Sequence, residues 1–332
     1  MDLLAAALDG HRARGAHVLH VEMEAPWSIA VADEATLGLV LVVRGEGWLE
    51  RDGHPPVMLR PGDAAITTAG LAYTFAHAPG VPPTIVIGPE ETSRDLVGRE
   101  LCVELSTGLR RWGTAEHGED AFVTATYGLP GQVTGRLLES LPDVVVVRAQ
   151  DRSAGGHTLV EALVDELERD LPGQDVVIDR LVDLILIGTL RAWFARPDAA
   201  PPRWWLAEAD PVAGPALRAM HADPGRAWTL DSLARQANVS RATLARRFTE
   251  VAGEPPIAYL TRWRLMLAAE LLVETDATVE QIAHRVGYQS AFAFSAAFRR
   301  VHDASPRTFR RGRAPSRVVD DGRGPGGIPS VL

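Results

Sequence analysis

The chain has 332 residues, 46% of them hydrophobic and 23% charged, a length suited to two or three domains and a composition suited to real cores. Its one cysteine, Cys102, excludes an intramolecular disulfide and a multi-cysteine metal site, and its apolar context (LCVEL) reads as a small core residue. The formal charge of −9 hides an asymmetry: residues 212–315 carry 15 Arg against 9 acids, whereas residues 1–211 carry 17 Arg against 32. A basic module joined to an acidic domain is the footprint expected of a nucleic-acid binder. MDLLAAALDGHRARG lacks a basic start followed by an apolar run, and GLVLVV and LILIGTL fall short of a membrane span. A cytoplasmic protein with no membrane partner is expected.

Residues 1–24 read as a short amphipathic helix and then a strand, HVLHVEM. From Pro26 onward the pattern is of short strands with turn punctuation. LGLVLVVRGEGWLERDG gives two runs around Gly45 and Gly47, closing on Asp52-Gly53, and VMLRPGDAAITTAG sets Pro61-Gly62-Asp63 between two more. AYTFAHA and PTIVIG follow, and alternation continues through Glu100–Glu104 and Phe122–Thr126 to LPDVVVV. Many short strands with Gly and Pro turns favour a small barrel or jelly roll. The Gly-x-Gly strand pair followed by PGD resembles the cupin-like N-terminal domains of AraC-type regulators. That resemblance implies a domain that binds an effector or dimerises. The LVLVV run lacks a clean polar face, so alternation does not assign the barrel interior. Trp27, Trp48, Tyr73 and His77 are candidate effector contacts because they can stack or hydrogen-bond.

Between His157 and Ala195 the period becomes helical, in two segments split at Leu171-Pro172-Gly173. The second is apolar over a wide arc (Ile178, Leu181, Val182, Ile185, Leu186, Thr189). Two readings stand: a helix-pair dimer interface, or burial against its own barrel. Asp183 lies at the rim or is paired. Residues 197–211 have the Pro-rich composition of a linker, and Trp204-Trp205 either dock one domain on the other or cap a helix.

The stretch from Thr229 to Arg311 is written twice. TLDSLARQANVSRATLARRF and TVEQIAHRVGYQSAFAFSAAF align at an offset of 49 through Ala234/Ala283, then 50 from Phe248/Phe298. In the first copy Thr229 caps a helix to Ala237, Asn238 turns the chain, and Ser240 caps a second helix, Arg241–Val251. Leu244 and Phe248 point inward, leaving Arg241, Thr243, Arg246 and Arg247 on the outer or groove-facing arc, where arginine can bond guanine or hold phosphate. In the second, Thr278 and Gln281 form a capping box, Gly287 takes the turn, and Gln289 or Ser290 caps a helix poor in polar reach. Arg299 and Arg300 at its end suit phosphate, and Ser305-Pro306 opens a last short helix. Between the copies a helix of about 18 residues, Ile257 to Thr275, spans roughly 27 Å and suits two readers held near one duplex turn apart, about 34 Å. Its apolar stripe is Tyr259, Leu260, Trp263, Leu267, Leu271 and Leu272.

The paired repeats, YLTRWRLMLAAELL between them, and IAHRVGYQSAFAFSAAFRRVHDASPRTFRR resemble the DNA-binding domain of the AraC/XylS family of transcription regulators. The resemblance places the reader positions on Ala242, Ala245 and Arg246 in the first copy and on Ala291, Phe292 and Ala296 in the second. Ala242, Ala245 and Ala296 depart from the long polar side chains often found there, so the second helix is expected to touch thymine methyls or to position the protein. The candidate DNA contacts are thus Ser240, Arg241, Ala242, Thr243, Arg246 and Arg247, then Ser290, Ala291, Phe292, Ser295, Arg299 and Arg300.

The resulting fold class is α+β multidomain. An N-terminal cupin-like β-barrel with an effector or regulatory role (1–150) precedes a helical pair for dimerisation (151–196) and a linker (197–211). An all-α double helix-turn-helix DNA-binding domain (212–315) and a disordered tail (316–332) follow. The expected partners are double-stranded promoter DNA, a small-molecule effector, a second copy of the chain and RNA polymerase. A catalytic cupin needs clustered His and carboxylate ligands. TLGLVLVVRG has no His, Tyr73 stands where a later metal His would be expected, and His54 and His77 are isolated. No metal, cofactor or catalytic residue is therefore expected; a cupin metalloenzyme and a constitutive or architectural DNA binder are the alternatives.

Overall fold

The computed structural model describes residues 16–313 apart from 69, 90, 91, 109, 129–134, 136, 170 and 200. The expected opening helix and the 316–332 tail lie outside the described residues. By its contacts the chain divides into two compact units, Met1–Asp223 with Trp228–Ala258, and Pro224–Ala227 with Tyr259–Leu332.

The first unit begins with thirteen described strands: β1 (His17–Met23), β2 (Ser28–Val31), β3 (Leu37–Arg44), β4 (Gly47–Glu50), β5 (Val57–Leu59), β6 (Ala64–Thr68), β7 (Tyr73–Ala76), β8 (Ile85–Ile87), β9 (Ser93–Asp95), β10 (Ser106–Gly108), β11 (Arg111–Gly113), β12 (Asp120–Tyr127) and β13 (Val144–Val147). They form two sheets, ordered β10-β11-β1-β12-β3-β6-β13 and β5-β4-β7-β2-β8-β9. Val21, Val40 and Phe122 of the first share one core with Ile29, Leu49 and Phe75 of the second. The Phe75 and Phe122 rings meet edge to face at 4.9 Å, a favoured aromatic geometry. The Gly45–Gly47 turn has a steric cause. Gly45 has φ +71°, and a Cβ there would collide with the Asp120 carboxylate, which accepts hydrogen bonds from the Trp27 indole (2.7 Å) and the Glu46 amide (3.0 Å).

Two departures from the sequence reading fall in this half. Of Glu100–Glu104, expected to alternate as a strand, residues 102–104 form turns in which Val103 is 90% exposed. Cys102 is exposed rather than a core residue, and its Sγ accepts a hydrogen bond from the Ser93 hydroxyl. The short strands β10 and β11 carry no periodicity long enough to be read.

Helices α1 (Ala154–Leu167) and α2 (Gln174–Phe194) follow, broken where Gly173 adopts φ +86°. Leu37, Leu39 and Leu41, which alternate away from the shared core, are nonetheless buried, as are Val182, Ile185, Leu186 and Leu190 of α2. Hydrogen bonds tie α2 to the preceding chain: Tyr127 donates to Asp183 (3.3 Å), Arg152 to Thr189 (3.1 Å) and Arg110 to Asp179 (2.5 Å). Most of the wide apolar arc is thus spent on the chain's own barrel, although Val176, Val177 and Leu184 stay exposed. Asp183 is paired, and burial outweighs its Tyr127 and Arg180 partners to hold its carboxyl above the usual range.

Within the Pro-rich stretch a helix, α3 (Arg203–Ala209), interrupts the expected linker. Trp204 and Trp205 pack on Phe194 at the end of α2, with centroids 5.9 and 5.1 Å away. Then come α4 (Ala213–Ala222), α5 (Leu230–Gln236) and α6 (Arg241–Ala252). The second unit is wholly helical as described: most of α7 (Pro256–Glu274), then α8 (Val279–Arg285), α9 (Ala291–His302) and α10 (Pro306–Arg313). Its core joins Leu265, Ala268 and Leu272 of α7 to Ile282, Phe294 and Phe298. Leu265, Met266, Ala268 and Ala269 are buried besides the expected stripe, so α7 is a central helix rather than a one-faced one.

Candidate nucleic-acid interface

Both helix-turn-helix motifs are built by local chemistry. In the first, the Thr229 side chain accepts from the Ser232 amide while Ser232 returns a bond to the Thr229 amide, a capping box the sequence reading found only in the second copy. Asn238 takes φ +53° at the turn. Ser240 then caps α6 by accepting from the Thr243 amide at 3.1 Å, and its hydroxyl meets that of Thr243 at 2.9 Å. Leu244 and Phe248 are fully buried one turn apart.

The other face of α6 is polar and open. Ala242 is exposed, and Arg241 reaches back to Asp231 at 3.1 Å. The Arg246 side chain is 67% exposed and held by Glu250 at 2.6 Å. That bond, aided by Arg247 and opposed by slight desolvation, keeps the Glu250 carboxyl below its ordinary range. Arg247 is engaged differently. Its guanidinium lies 2.7 Å from Asp210, whose other oxygen accepts from the Val212 and Ala213 amides at the start of α4. Arg247 thus fastens α6 to the α3–α4 junction, a link invisible in the repeat alone.

In the second motif Thr278 and Gln281 form the expected capping box, and Gly287 turns at φ +85°. A Cβ there would meet the Gly225 carbonyl at 2.6 Å, beside an Arg264 guanidinium that bonds the Pro224 and Arg226 carbonyls. Of the two candidate caps, Ser290 is the one used, accepting from the Ala293 amide at 3.2 Å. Along α9, Ala291 and Ser295 are half-buried, Ala293 and Ala296 exposed, and Phe292 stands 86% exposed. Arg299 and Arg300 are exposed in the last turn.

A cavity of 370 Å³ opens in the barrel. Of the four effector candidates only Tyr73 lines it. Burial and the nearby Asp33 carboxylate hold the Tyr73 phenol neutral, its pKa well above the ordinary value despite a hydrogen bond with Thr67. Trp27 is sealed in the core, Trp48 is half-buried on β4, and His77 bonds the Trp27 backbone. His17, Thr124, Thr126, Arg110 and Trp112 line the cavity and were missed. The alternation within HVLHVEM and FVTAT marks three of them once the register is known. Among the described residues no group of three or more His, Cys, Asp or Glu could hold a metal ion, and no helix is long and apolar enough to cross a membrane.

Comparison with known proteins gives one pattern. Residues 2–195 match the family model described as cupin, and residues 233–312 match the one described as helix-turn-helix domain. A putative AraC-like transcription regulator of Streptomyces lividans is 33% identical over 290 residues, 86% of this chain and 90% of that one. The HTH-type transcriptional regulator AlkR of Acinetobacter baylyi is 29% identical over 316 residues, 94% of this chain and 99% of that one. The solved C-terminal domain of AraT, a response regulator from Geobacillus stearothermophilus, is 34% identical over 34% of this chain and 93% of that one, with a TM-score of 0.32.

Proposed function

Because this chain belongs to the AraC/XylS family of transcription regulators, with a cupin N-terminal domain joined to paired helix-turn-helix motifs, we propose that a small molecule bound in the barrel sets its affinity for promoter DNA. The chain is a DNA-binding transcription regulator; the ligand control is our reading. The observation that carries it is the cavity, a space lined by residues of both sheets of the barrel domain.

On this reading residues 1–150 sense, 151–196 dimerise, 197–211 join and 212–315 bind DNA. Arg246 reads a base, exchanging Glu250 for a guanine edge. Ser240, Arg241, Ala242 and Thr243 approach the backbone at the α6 N-terminus. Arg247 works through Asp210 rather than on a base. Phe292, with Ala291, Ser290 and Ser295 beside it, offers an apolar surface to thymine methyls, and Arg299 and Arg300 hold phosphate. Exposed Val176, Val177 and Leu184 on α2 are the contact for a second copy. The chain acts in the cytoplasm, meets RNA polymerase at the promoter and catalyses nothing.

The test is recovery of genomic DNA bound by the purified full chain at fixed salt. A repeated site near promoters is expected. Only diffuse, steeply salt-sensitive binding would favour the architectural alternative.

A further inference from the structure

Resting on that reading of the barrel as the sensor, we infer that its ligand is a small apolar carboxylate and that Arg110 transmits its arrival to α2. Strand register gives the cavity a direction. On β1 the side chains of His17, Leu19 and Val21 face inward, opposite Thr126, Thr124 and Phe122 of β12. On the other sheet Val31 pairs with Tyr73 and Ile29 with Phe75. One end is therefore apolar, Val21 and Phe122 with Phe75 and Trp112, and buried. The other carries His17, Thr126, Tyr73 and Asp33, and exposure rises toward it, with His17 exposed and Thr126 half-buried. An apolar body seated at the deep end leaves a polar group near the mouth. At 370 Å³ the space lies at the small end of the ligand-site range, about 300–1,000 Å³.

The charge on the wall selects the sign of that group. Two arginines, Arg110 and Arg111, are among the residues lining the cavity, against a single acidic one, Asp33, which already accepts from the Ala35 amide. Arg111 is turned toward α1, donating to the Leu167 carbonyl. Arg110 is the one that spans both worlds. It sits at φ +56°, a conformation few side-chain-bearing residues adopt, and lines the cavity. Its guanidinium also lies 3.0 Å from Asp175 and 2.5 Å from Asp179, in the first turns of α2.

A ligand carboxylate must compete with those two aspartates; an alcohol cannot. Drawing Arg110 inward leaves Asp175 and Asp179 as an unneutralised like-charge pair four residues apart, which weakens the start of a helix. That turn also carries the exposed Val176 and Val177. The ligand's charge is thereby converted into a change in the very surface offered to a second copy.

The experiment is calorimetric titration of the full chain with octanoate, 1-octanol and octylamine at neutral pH, with hydrogen exchange over residues 174–180 in parallel. Octanoate is expected to bind at least about ten-fold tighter than either analogue and to speed exchange at the start of α2. Arg110→Gln should erase the preference, and Leu19→Trp, which fills the cavity, should abolish binding while leaving Arg110 in place. Equal affinity for octanoate and octanol, a preference for octylamine, no octanoate binding, or unchanged exchange would each overturn the inference. Octanoate binding with no change in DNA affinity would leave the ligand class standing and remove the effector role. Octanoate silence beside a ligand-responsive promoter complex would do the reverse.

Discussion

The two reading helices share a scaffold and differ in what they show to the outside. Both α6 and α9 run 12 residues, both start at a serine that accepts from the third amide, and both bury an i, i+4 pair, Leu244/Phe248 and Phe294/Phe298. Asn238 and Gly287 correspond at an offset of 49, but the caps Ser240 and Ser290 correspond at 50, so the additional residue is Gln289. The cap resets the helical phase, and the insertion is absorbed in the turn without rotating the core pair. Outside that frame the copies part. At equivalent positions Arg246 and Ala242 of the first copy correspond to Ala296 and Phe292 of the second, and Arg247 to Ala297, which is buried in its own core. Cap and core chemistry preserve the motif and leave its exterior free to specialise.

The shared core is the most costly place to break the likeness. Phe248→Ala and Phe298→Ala should each lose about 3–5 kcal/mol in denaturant unfolding, and a silent result at either would end the structural equivalence. Next comes a contact only the first copy has. Arg247→Ala should lower stability in the same unfolding assay by less than either core truncation, with Asp210 left beside its amides without the guanidinium. Burial raises the Asp210 carboxyl, but the Ala213 and Val212 amides and then Arg247 more than offset this and hold it below its ordinary value. Its contribution is therefore fully present above the ordinary carboxylate range and is lost as pH falls through the depressed value. Asp210→Asn should flatten that acid limb of the stability profile; an unchanged limb would deny the pair its role.

The exteriors separate in binding. Arg246→Ala should cost about 1–3 kcal/mol on the recovered site and relax one base pair; equal weakening on random DNA would make Arg246 a phosphate contact. The smallest effects belong to α9. Phe292→Ala should lower thymine preference by about 1 kcal/mol or less with the salt slope unchanged, while Arg299→Ala should weaken all sequences alike and reduce the slope by about 1.

What the sequence disclosed follows from the range of the forces involved. The caps at Thr229, Ser240 and Thr278, the Asn238 and Gly287 turns and the inward Phe248 and Phe298 are decided within a few residues, and they stood where expected. The paired Arg247 and Asp210 are 37 residues apart, and nothing local announces them. The cavity is further out of reach, since His17 meets Thr126 only through strand register. Alternation misled at Glu100–Glu104 because Leu101 is buried while Val103 and Cys102 project from a turn. Prolines around Arg203–Ala209 hid a helix whose burial rests on Trp204 and Ala207.

That short helix has an optical consequence. Trp204 and Trp205 hold their indoles 5.8 Å apart and 83° from coplanar, against Phe194. Two like chromophores so close and so twisted couple their transitions and split an absorption band into a pair of opposite sign in circular dichroism. The joint between sensor and first reader is thus its own spectroscopic probe, legible without a dye and extinguished by a single Trp205→Phe exchange.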